Sequence, residues 1–183
     1  MSLCDAAIAY AKLGIPVFPL KECGKTPITP HGLKDASTDL QTVTDWWGQF
    51  PNANIGILTG FESNGKRLAV LDIDVKHEGQ NGAETVKKYE AEYGELPPTA
   101  TATTTTGGKH YYFWTEKGRK SGTNIENGID SRIENAYVVA PPSVLMIKKD
   151  GCDPERKNID GTKEKQLEKY PVLPHRNGLT DYL

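Results

Sequence analysis

Cysteine is scarce in this 183-residue chain, and its three residues lie far apart at Cys4, Cys23 and Cys152. An odd number of cysteines without a C-x-x-C pair argues against a disulfide framework and against a structural zinc site. The sequence also lacks an apolar run of the roughly 20 residues that a membrane helix needs, and its N-terminus lacks the pattern of a secretory signal. These absences predict a protein of the reducing cytoplasm that has no membrane partner.

An excess of charge of either sign is missing as well. The chain has 22 Lys and Arg against 24 Asp and Glu, which gives a net charge of −2. Nucleic-acid-binding domains often have a basic excess, so the overall charge does not point to such a partner, although a local basic face can coexist with an acidic metal site. The hydrophobic fraction of 37% is ordinary for a folded domain, and the length suffices for one compact core or for two small lobes that share one.

Hydrophobic periodicity predicts three main helices among many short strands. The helices are predicted over residues 4–13, 39–49 and 82–93, the second with Thr38 as its N-cap. The predicted strands cover residues 15–20, 54–59, 68–75, 99–106, 109–115, 128–133, 136–140 and 144–148. Turns or loops are expected over residues 21–36, 60–66, 118–127 and 150–162, with a short charged helix over 162–169. We expect residues 128–133 and 136–140 to pair, and the mixed order favours an α+β (mixed α/β) fold over a doubly wound parallel sheet.

Two aspartates stand two residues apart in the clearest buried strand, where L-A-V-L leads into Asp72-Ile73-Asp74. Side chains at i and i+2 of a strand share a face, with Cα atoms roughly 7 Å apart. Two carboxylates this close raise each other's pKa unless a cation lies between them, and carboxylate oxygens suit Mg²⁺ or Mn²⁺. The alternative is an exposed strand face with two solvated acids. D-x-D alone is a weak signal, because it occurs in many different metal enzymes.

Gly107 and Gly108 directly precede Lys109 and His110 in the segment T-T-G-G-K-H-Y-Y-F. Glycines let the backbone approach a ligand closely, and the two cationic side chains suit a phosphate group. Because Lys109 and His110 alternate along a strand, only one of them can point into a given site. The alternative for His110 is a partly buried histidine with a structural role.

A third carboxylate lies downstream, at Asp130 in I-D-S-R, and Y-V-V-A-P-P-S follows it. A third acid would complete a two-metal site, which clamps the attacking and leaving oxygens of phosphoryl transfer. Taken alone, Asp130 is more typical of a turn or an edge residue than of a metal site.

The order and spacing of these motifs resemble the prim-pol domain of bifunctional DNA primase/polymerases, in the archaeo-eukaryotic primase superfamily. The resemblance rests on D-h-D, G-G-x-H-Y-Y-F and h-D-x-R followed by Y-V-V-A-P-P-S. The upstream segments GIPVFPL, GKTPITPHGLKDAST, WW and PNANIGILTG are similar too. It covers residues 5–147, and its specificity lies in the combination of motifs.

The resemblance implies an N-terminal αβ lobe and an RNA-recognition-motif-like lobe around one catalytic cleft. It places this prim-pol catalytic domain in residues 1–150, with residues 151–183 as a C-terminal extension or the start of a linker. It implies template-dependent nucleotidyl transfer by a DNA primase and DNA polymerase that uses Mg²⁺ or Mn²⁺, nucleoside triphosphates and a single-stranded DNA template. We further expect a fragment of a larger replication protein from a plasmid, phage or prophage, with a helicase domain C-terminal to it.

The same resemblance implies roles for individual residues. Asp72, Asp74 and Asp130 would bind the metals, and His110 would contact the phosphates of the incoming nucleotide, so these four form the expected catalytic set. Further candidates for nucleotide binding are Lys25, Lys109, Gly107, Gly108 and Arg132. The chain departs from the family pattern after Arg132, where I-E-N-A replaces a glycine-rich turn, and it lacks the cysteines of the zinc-binding stem found in some relatives.

Other interpretations remain open at this point. The same fold could serve as a catalytically silent nucleic-acid-binding accessory, although the intact set of acids argues against this. The same acids could serve a metal-dependent nuclease or phosphohydrolase. Trp46 and Trp47 could stack on bases, but adjacent tryptophans on a helix more often belong to the core and its rim.

Overall fold

The structure of the protein is a computed structural model, and it describes residues 1–75, 81–116, 120–148, 167–171 and 173–174. The helices are α1 (Leu3–Lys12), α2 (Leu40–Gln49) and α3 (Gly82–Tyr93), with a 3₁₀ turn at Gly32–Asp35. The first strands are β1 (Val17–Leu20), β2 (Asn54–Leu58), β3 (Glu62–Ser63), β4 (Lys66–Ile73), β5 (Thr101–Thr103) and β6 (Lys109–Thr115). The later strands are β7 (Gly122–Glu126), β8 (Ile129–Arg132), β9 (Tyr137–Ala140), β10 (Val144–Lys148), β11 (Leu167–Pro171) and β12 (Leu173–Pro174).

Every strand pairing among the described residues is antiparallel, and the strands form three sheets. The smaller main sheet has the order β1-β2-β9, and β10 pairs with β11 in a separate two-stranded ribbon. The larger sheet has the order β12-β5-β6-β4-β8-β7, with β3 paired to β4. Three helices with antiparallel sheets confirm the α+β class. None of the helices in the described ranges has the length and apolar character needed to cross a membrane.

Helices α1 and α2 pack on each other and on the three-stranded sheet to form the main core. A reciprocal capping box between Ser2 and Asp5 starts α1, whose apolar face then buries Ala7 and Tyr10. Trp47 of α2 is buried and donates a hydrogen bond from Nε1 to the carbonyl of Ala53 at 2.9 Å. Trp46 is half-buried at the edge of the same core, so the pair forms core and rim and is not an exposed stacking platform.

The N-cap of α2 differs from the prediction, because Asp39 fills this position where Thr38 was expected. The Asp39 carboxylate accepts hydrogen bonds from the backbone N–H of Thr42 at 2.8 Å and from its hydroxyl at 2.6 Å. These bonds hold the pKa of Asp39 below its usual value, the hydroxyl bond contributing most. Either residue is a good N-cap, and the phase of the helix, which begins at Leu40, selects the aspartate.

Most predicted elements are confirmed, and the errors among the strands are one that is shorter than expected and one pairing that was assigned wrongly. The bounds of α3, β6 and β10 agree with the prediction, whereas the strand expected over 99–106 shrinks to β5. The expected pairing of 128–133 with 136–140 is wrong, because β8 pairs with β4 and β7 while β9 pairs with β2 in the other sheet.

Two predicted loops and the end of one predicted helix were also assigned wrongly. The predicted loops over 60–66 and 118–127 contain β3 and β7 respectively. The end of the helix expected over 162–169 belongs instead to β11, and its residues 162–166, like the loop expected over 150–162, lie outside the described residues.

Candidate active site

Three of the predicted site residues, Asp72, Asp130 and His110, form one row across three neighbouring strands, the acidic row. Asp72 on the central strand β4 is paired in register with Asp130 on β8 and with His110 on β6. Residues directly opposite each other in an antiparallel sheet project from the same face, with Cβ atoms about 5 Å apart. The sheet register therefore brings together three side chains that are widely separated in sequence.

The two acids of this row lie at short range from nitrogen atoms of Arg132 and His110. Arg132 donates a hydrogen bond from Nη2 to Oδ2 of Asp130 at 2.6 Å, and the same nitrogen lies 3.8 Å from Oδ2 of Asp72. On the other side, Nε2 of His110 lies 3.4 Å from Oδ1 of Asp72. The side chains of Asp72 and Asp130 are only 16% and 14% exposed, so this pairing offsets the repulsion between two poorly hydrated carboxylates.

Asp74 lies one residue beyond β4, where the chain leaves the sheet toward α3. Its backbone N–H donates to the carbonyl of Gly128 at 2.8 Å, and its own carbonyl accepts from the N–H of Gly82 at 2.9 Å. A Cβ on Gly82 would come within 2.2 Å of the Gly128 carbonyl oxygen, so the two backbones approach as closely as glycine permits. This pair of glycines fixes the backbone that carries the second acid.

A cleft of about 350 Å³ lies between the acidic row and the smaller main sheet. From the larger sheet it is lined by Asp72, Asp74, His110 and Arg132, and from the other side by Lys25, Leu33, Tyr137, Val138, Val139 and Leu145. Thr104, Thr105, Thr106, Asn135 and Ala136 complete the lining. Asp130 is not part of this lining, but it accepts a hydrogen bond from Arg132, which is.

Lys109, Gly107 and Gly108 do not line this cleft, although they were candidates for nucleotide binding. They border a separate cavity of about 210 Å³, together with Ile73 and Val75. The alternation predicted for Lys109 and His110 is confirmed, because Lys109 is exposed whereas His110 is 8% exposed. Close packing alone explains the glycine at position 108, since a Cβ there would lie 2.2 Å from the carbonyl oxygen of Ile73.

Two buried polar atoms in and beside the acidic row have no hydrogen-bond partner among the described residues. Neither Nδ1 of His110 nor the hydroxyl of Tyr112 has a hydrogen-bond partner among the described residues, and both atoms are buried. The two rings meet edge to face with centroids 6.2 Å apart. Burial, with smaller contributions from Tyr10 and Asp72, raises the pKa of Tyr112 well above its usual value, so its phenol stays neutral.

The oxygen donors suit a hard divalent cation, since Mg²⁺ and Mn²⁺ prefer carboxylate ligands. Asp72 and Asp74 both line the cleft, but the carboxylate of Asp130 is engaged by Arg132. Within the described ranges, no group of three or more His, Cys, Asp or Glu side chains is gathered in a way that could hold a metal ion. The chemistry of the donors fits the expected metals, and a site made by Asp72, Asp74 and Asp130 together stays a prediction.

The segment after Arg132, which departs from the family pattern, is firmly held. The Ser121 hydroxyl accepts hydrogen bonds from the backbone N–H groups of Ile133 and Glu134, at 2.7 and 2.8 Å. The Glu134 carboxylate pairs with Arg67, and Asn135 takes a left-handed conformation with φ 49°. Asparagine tolerates this region better than most residues, so it does the work of one glycine of the expected turn.

Sequence reasoning missed several residues that shape the cleft. Thr104, Thr105 and Thr106 gave only the signal of a short threonine run, and Ser121 gave none. Asn135 lies in the segment that was noticed only as a departure, although an asparagine in place of an expected glycine is itself a signal of a left-handed turn.

Comparison with known proteins adds a whole-domain identification to this geometry. The model of the family described as bifunctional DNA primase/polymerase, N-terminal (Prim-Pol), matches residues 7–160. A comparison with curated proteins finds no match to this sequence. The family match covers most of the chain and includes every residue of the acidic row, so the chain belongs to the Prim-Pol family of bifunctional DNA primase/polymerase N-terminal domains.

Proposed function

We propose that this domain catalyses template-dependent nucleotidyl transfer, as a DNA primase and DNA polymerase acting on single-stranded DNA with nucleoside triphosphates and Mg²⁺ or Mn²⁺. Membership of the Prim-Pol family suggests primase and polymerase activity of a nucleotidyltransferase type. The single observation that supports the finer proposal is the register of Asp130, Asp72 and His110 across β8, β4 and β6. The cleft that Asp72 and His110 line has a volume of about 350 Å³, within the usual range of small-molecule sites.

In this reaction a 3′-hydroxyl attacks the α-phosphorus of the nucleotide, a new P–O bond forms, and the bond to the pyrophosphate breaks. Divalent ions, when bound, would supply neutralisation of the triphosphate and activation of the attacking hydroxyl. Asp72 and Asp74 are the proposed metal ligands because they line the cleft, and Asp130 is proposed as the third acid next to Asp72. These carboxylates belong to the strand framework of the larger sheet or border it directly, which favours a fixed geometry.

His110, Lys25 and Arg132 have complementary proposed roles on the nucleotide. His110, whose Nε2 is aimed at the Asp72 carboxylate, would contact the phosphates from the floor of the cleft. Lys25 from the opposite wall and Arg132 beside the acids would stabilise the negative charge that shifts toward the leaving pyrophosphate. Lys109, Gly107 and Gly108 face the separate cavity, so the proposal gives them no direct contact with the nucleotide in this cleft.

The remaining expectations are also part of the proposal. Helices α1 and α2 with the sheet β1-β2-β9 would form the N-terminal αβ lobe, and the larger sheet with α3 would form the RNA-recognition-motif-like lobe. A catalytic domain ending near residue 150, a cytoplasmic location, a replicative role in a plasmid, phage or prophage, and a C-terminal helicase partner follow the same family reasoning.

The test is nucleotide incorporation on single-stranded DNA with Mg²⁺ or Mn²⁺, with and without a primer. Asp72→Ala is the active-site variant, and Asp45→Ala is its matched control, because Asp45 is an exposed acid on α2 with a single hydrogen bond to Gln41. We expect primer extension by the wild type and by Asp45→Ala, and none by Asp72→Ala. Products without a primer would support primase activity.

Two other outcomes would contradict the proposal. DNA binding without incorporation would favour a silent accessory, an alternative to which the engagement of Asp130 by Arg132 gives some physical basis. Degradation of the labelled strand without incorporation would favour a metal-dependent nuclease.

A further inference from the structure

The loop that carries Lys25 is fixed to the body of the protein by its carbonyl groups. The carbonyl of Cys23 accepts a hydrogen bond from the backbone N–H of Met146 in β10, at 3.0 Å. The carbonyl of Gly24 accepts from Nδ2 of Asn54 in β2, and that of Lys25 from the hydroxyl of Tyr137 in β9, both at 2.9 Å. Three consecutive residues are therefore each bonded to a different strand.

Asn54 is the buried centre of this arrangement, with 1% of its surface exposed. Its Nδ2 also donates to the carbonyl of Val144 at 2.6 Å, and its Oδ1 accepts from the Val144 N–H at 3.0 Å. One amide side chain thus joins β2, the start of β10 and the Lys25 loop. A buried amide with all of these bonds made is costly to replace, because any remaining partner would lose its bond away from water.

Tyr137 reaches the loop from the cleft side. Its ring packs edge to face on Phe18, with centroids 5.2 Å apart, and its hydroxyl extends to the Lys25 carbonyl. Tyr137 and Lys25 both line the cleft, whereas Asn54 does not. An effect of Asn54 on a bound nucleotide must therefore pass through the segments that it joins, which are the Lys25 loop and the start of β10 with Leu145 of the cleft lining.

We propose that Asn54 and Tyr137 are positioning residues that hold the backbone of residues 24–25 as a preformed support for the Lys25 side chain, which contacts a phosphate of the incoming nucleotide. This inference rests on the proposed function, and adds to it the residues that set the geometry of the phosphate contact. A lysine side chain loses much rotamer freedom when it binds an anion, so a fixed backbone lowers the cost of the contact. The bonded carbonyl oxygens of Cys23, Gly24 and Lys25 are also kept away from the anion.

The test is a double-mutant cycle on the affinity for dATP in the presence of Mg²⁺, measured by titration calorimetry. The variants are Tyr137→Phe, Lys25→Ala and the combination of both. Tyr89→Phe is the matched control. Tyr89 lies on α3, outside the cleft, and its hydroxyl donates a hydrogen bond to Glu126 of β7 at 2.7 Å. We expect Lys25→Ala to raise Kd by about tenfold or more, and Tyr137→Phe by about threefold to tenfold, as loss of one hydrogen bond would.

The decisive result is the effect of Tyr137→Phe in the Lys25→Ala background, which we expect to vanish, while Tyr89→Phe binds like the wild type. In steady-state extension, Tyr137→Phe should raise KM and leave kcat nearly unchanged. Asn54→Ala, shown to be folded by its thermal denaturation, should behave in the same way. Independent effects in the double variant, or wild-type affinity of Tyr137→Phe, would overturn the inference.

The proposed function fails in a different way in the same experiment. A wild type that binds no dATP would contradict the nucleotidyltransferase proposal itself. Normal binding by Lys25→Ala would remove the proposed phosphate contact, and the positioning inference with it. Weakened binding by Lys25→Ala with unaltered binding by Tyr137→Phe would overturn the positioning inference alone.

Discussion

At the scale of single residues, the site is defined by how each buried polar group finds, or lacks, a partner. Oδ2 of Asp72 lies 3.8 Å from Nη2 of Arg132 and Oδ1 lies 3.4 Å from Nε2 of His110, so each carboxylate oxygen has a nitrogen nearby. Sequence reasoning identified these residues because aspartate pairs and a glycine-led histidine are recognisable chemistry. It could not show which of Asp74, Asp130 and Arg132 face the cleft, since that depends on side-chain directions that no spacing rule fixes.

Two buried tyrosines offer a matched test of these local energetics. The hydroxyl of Tyr10 donates to the carbonyl of Pro141 at 2.9 Å, whereas that of Tyr112 has no partner among the described residues. Removing a satisfied buried hydroxyl leaves its acceptor unpaired, but removing an unsatisfied one relieves a desolvation cost. We expect Tyr10→Phe to lower the free energy of unfolding by about 1 kcal/mol, and Tyr112→Phe to leave it unchanged or raise it.

Urea denaturation of the two variants measures this difference. Each substitution removes one phenol oxygen from a buried ring and leaves the ring in place. The contribution of ring packing is therefore largely the same in both comparisons. A Tyr112→Phe variant that loses as much stability as Tyr10→Phe would show that its hydroxyl has a partner after all.

At the scale of elements, local sequence signals succeeded where an element is defined by its own residues. The helix α3 and the strand β6 have strong periodicity and propensity, and their bounds agree with the prediction. β7 was missed because G-T-N-I-E has no alternation and is a strand only through its pairing with β8. The separation of β8 from β9 was missed because residues 133–136 carry the chain from one sheet to the other, which short spacing alone does not reveal.

The N-cap of α2 predicts a dependence of stability on pH. Hydrogen bonds from Thr42 hold the pKa of Asp39 below its unfolded value, so the ionised form stabilises the fold above that unfolded value. This contribution is lost as pH falls through the lowered folded pKa. We expect Asp39→Ala to melt at a lower temperature than the wild type at pH 7, and the difference to shrink in that acidic range.

Asp39→Asn is the control, because asparagine caps a helix nearly as well but does not titrate. Thermal denaturation is measured over the range from pH 7 to acid. At neutral pH, Asp39→Asn should melt only slightly below the wild type. A gap between wild type and Asp39→Ala that is constant with pH would contradict the role of the ionised carboxylate.

The glycine pair that fixes Asp74 gives a second prediction at this scale. Gly128 has φ 72°, and a Cβ there would lie 2.4 Å from the backbone nitrogen of Gly82. Gly65 has a similar φ of 78° but nothing within 4 Å of the added Cβ. Gly65→Ala should therefore lower the free energy of unfolding only by the cost of a left-handed alanine, about 1–2 kcal/mol. Gly128→Ala should lower it more and should also displace Asp74.

Chemical denaturation and primer extension of the two variants check this expectation. Gly128→Ala should be the less stable protein and should lose incorporation, while Gly65→Ala keeps it. Equal stability losses would mean that the close approach of the two backbones is not required.

At the scale of the whole molecule, the site arises where two antiparallel sheets face each other across one cleft. The larger sheet supplies the acids and His110, and the smaller sheet with its loops supplies the wall that carries Lys25. The family resemblance indicated such a cleft, but the composition did not. The net charge of −2 is a sum over the whole chain, in which acidic and basic residues cancel, so it does not report a local cluster of acids. The long-range register that aligns Asp72 with both Asp130 and His110 is a property of the folded sheet alone.

We expect Asp72 and His110 to act as one unit in the proposed nucleotide transfer, because Nε2 of His110 lies 3.4 Å from Oδ1 of Asp72. Single-turnover primer extension with Mn²⁺ measures whether they do. The variants are Asp72→Asn, His110→Ala and the double variant, with thermal denaturation to show that each is folded. Groups that act as a unit lose activity non-additively. We therefore expect each single variant to lose about a hundredfold or more in rate, and the double variant to be little worse than the poorer single one. Rates near that of the wild type for Asp72→Asn, or losses that multiply in the double variant, would contradict the account.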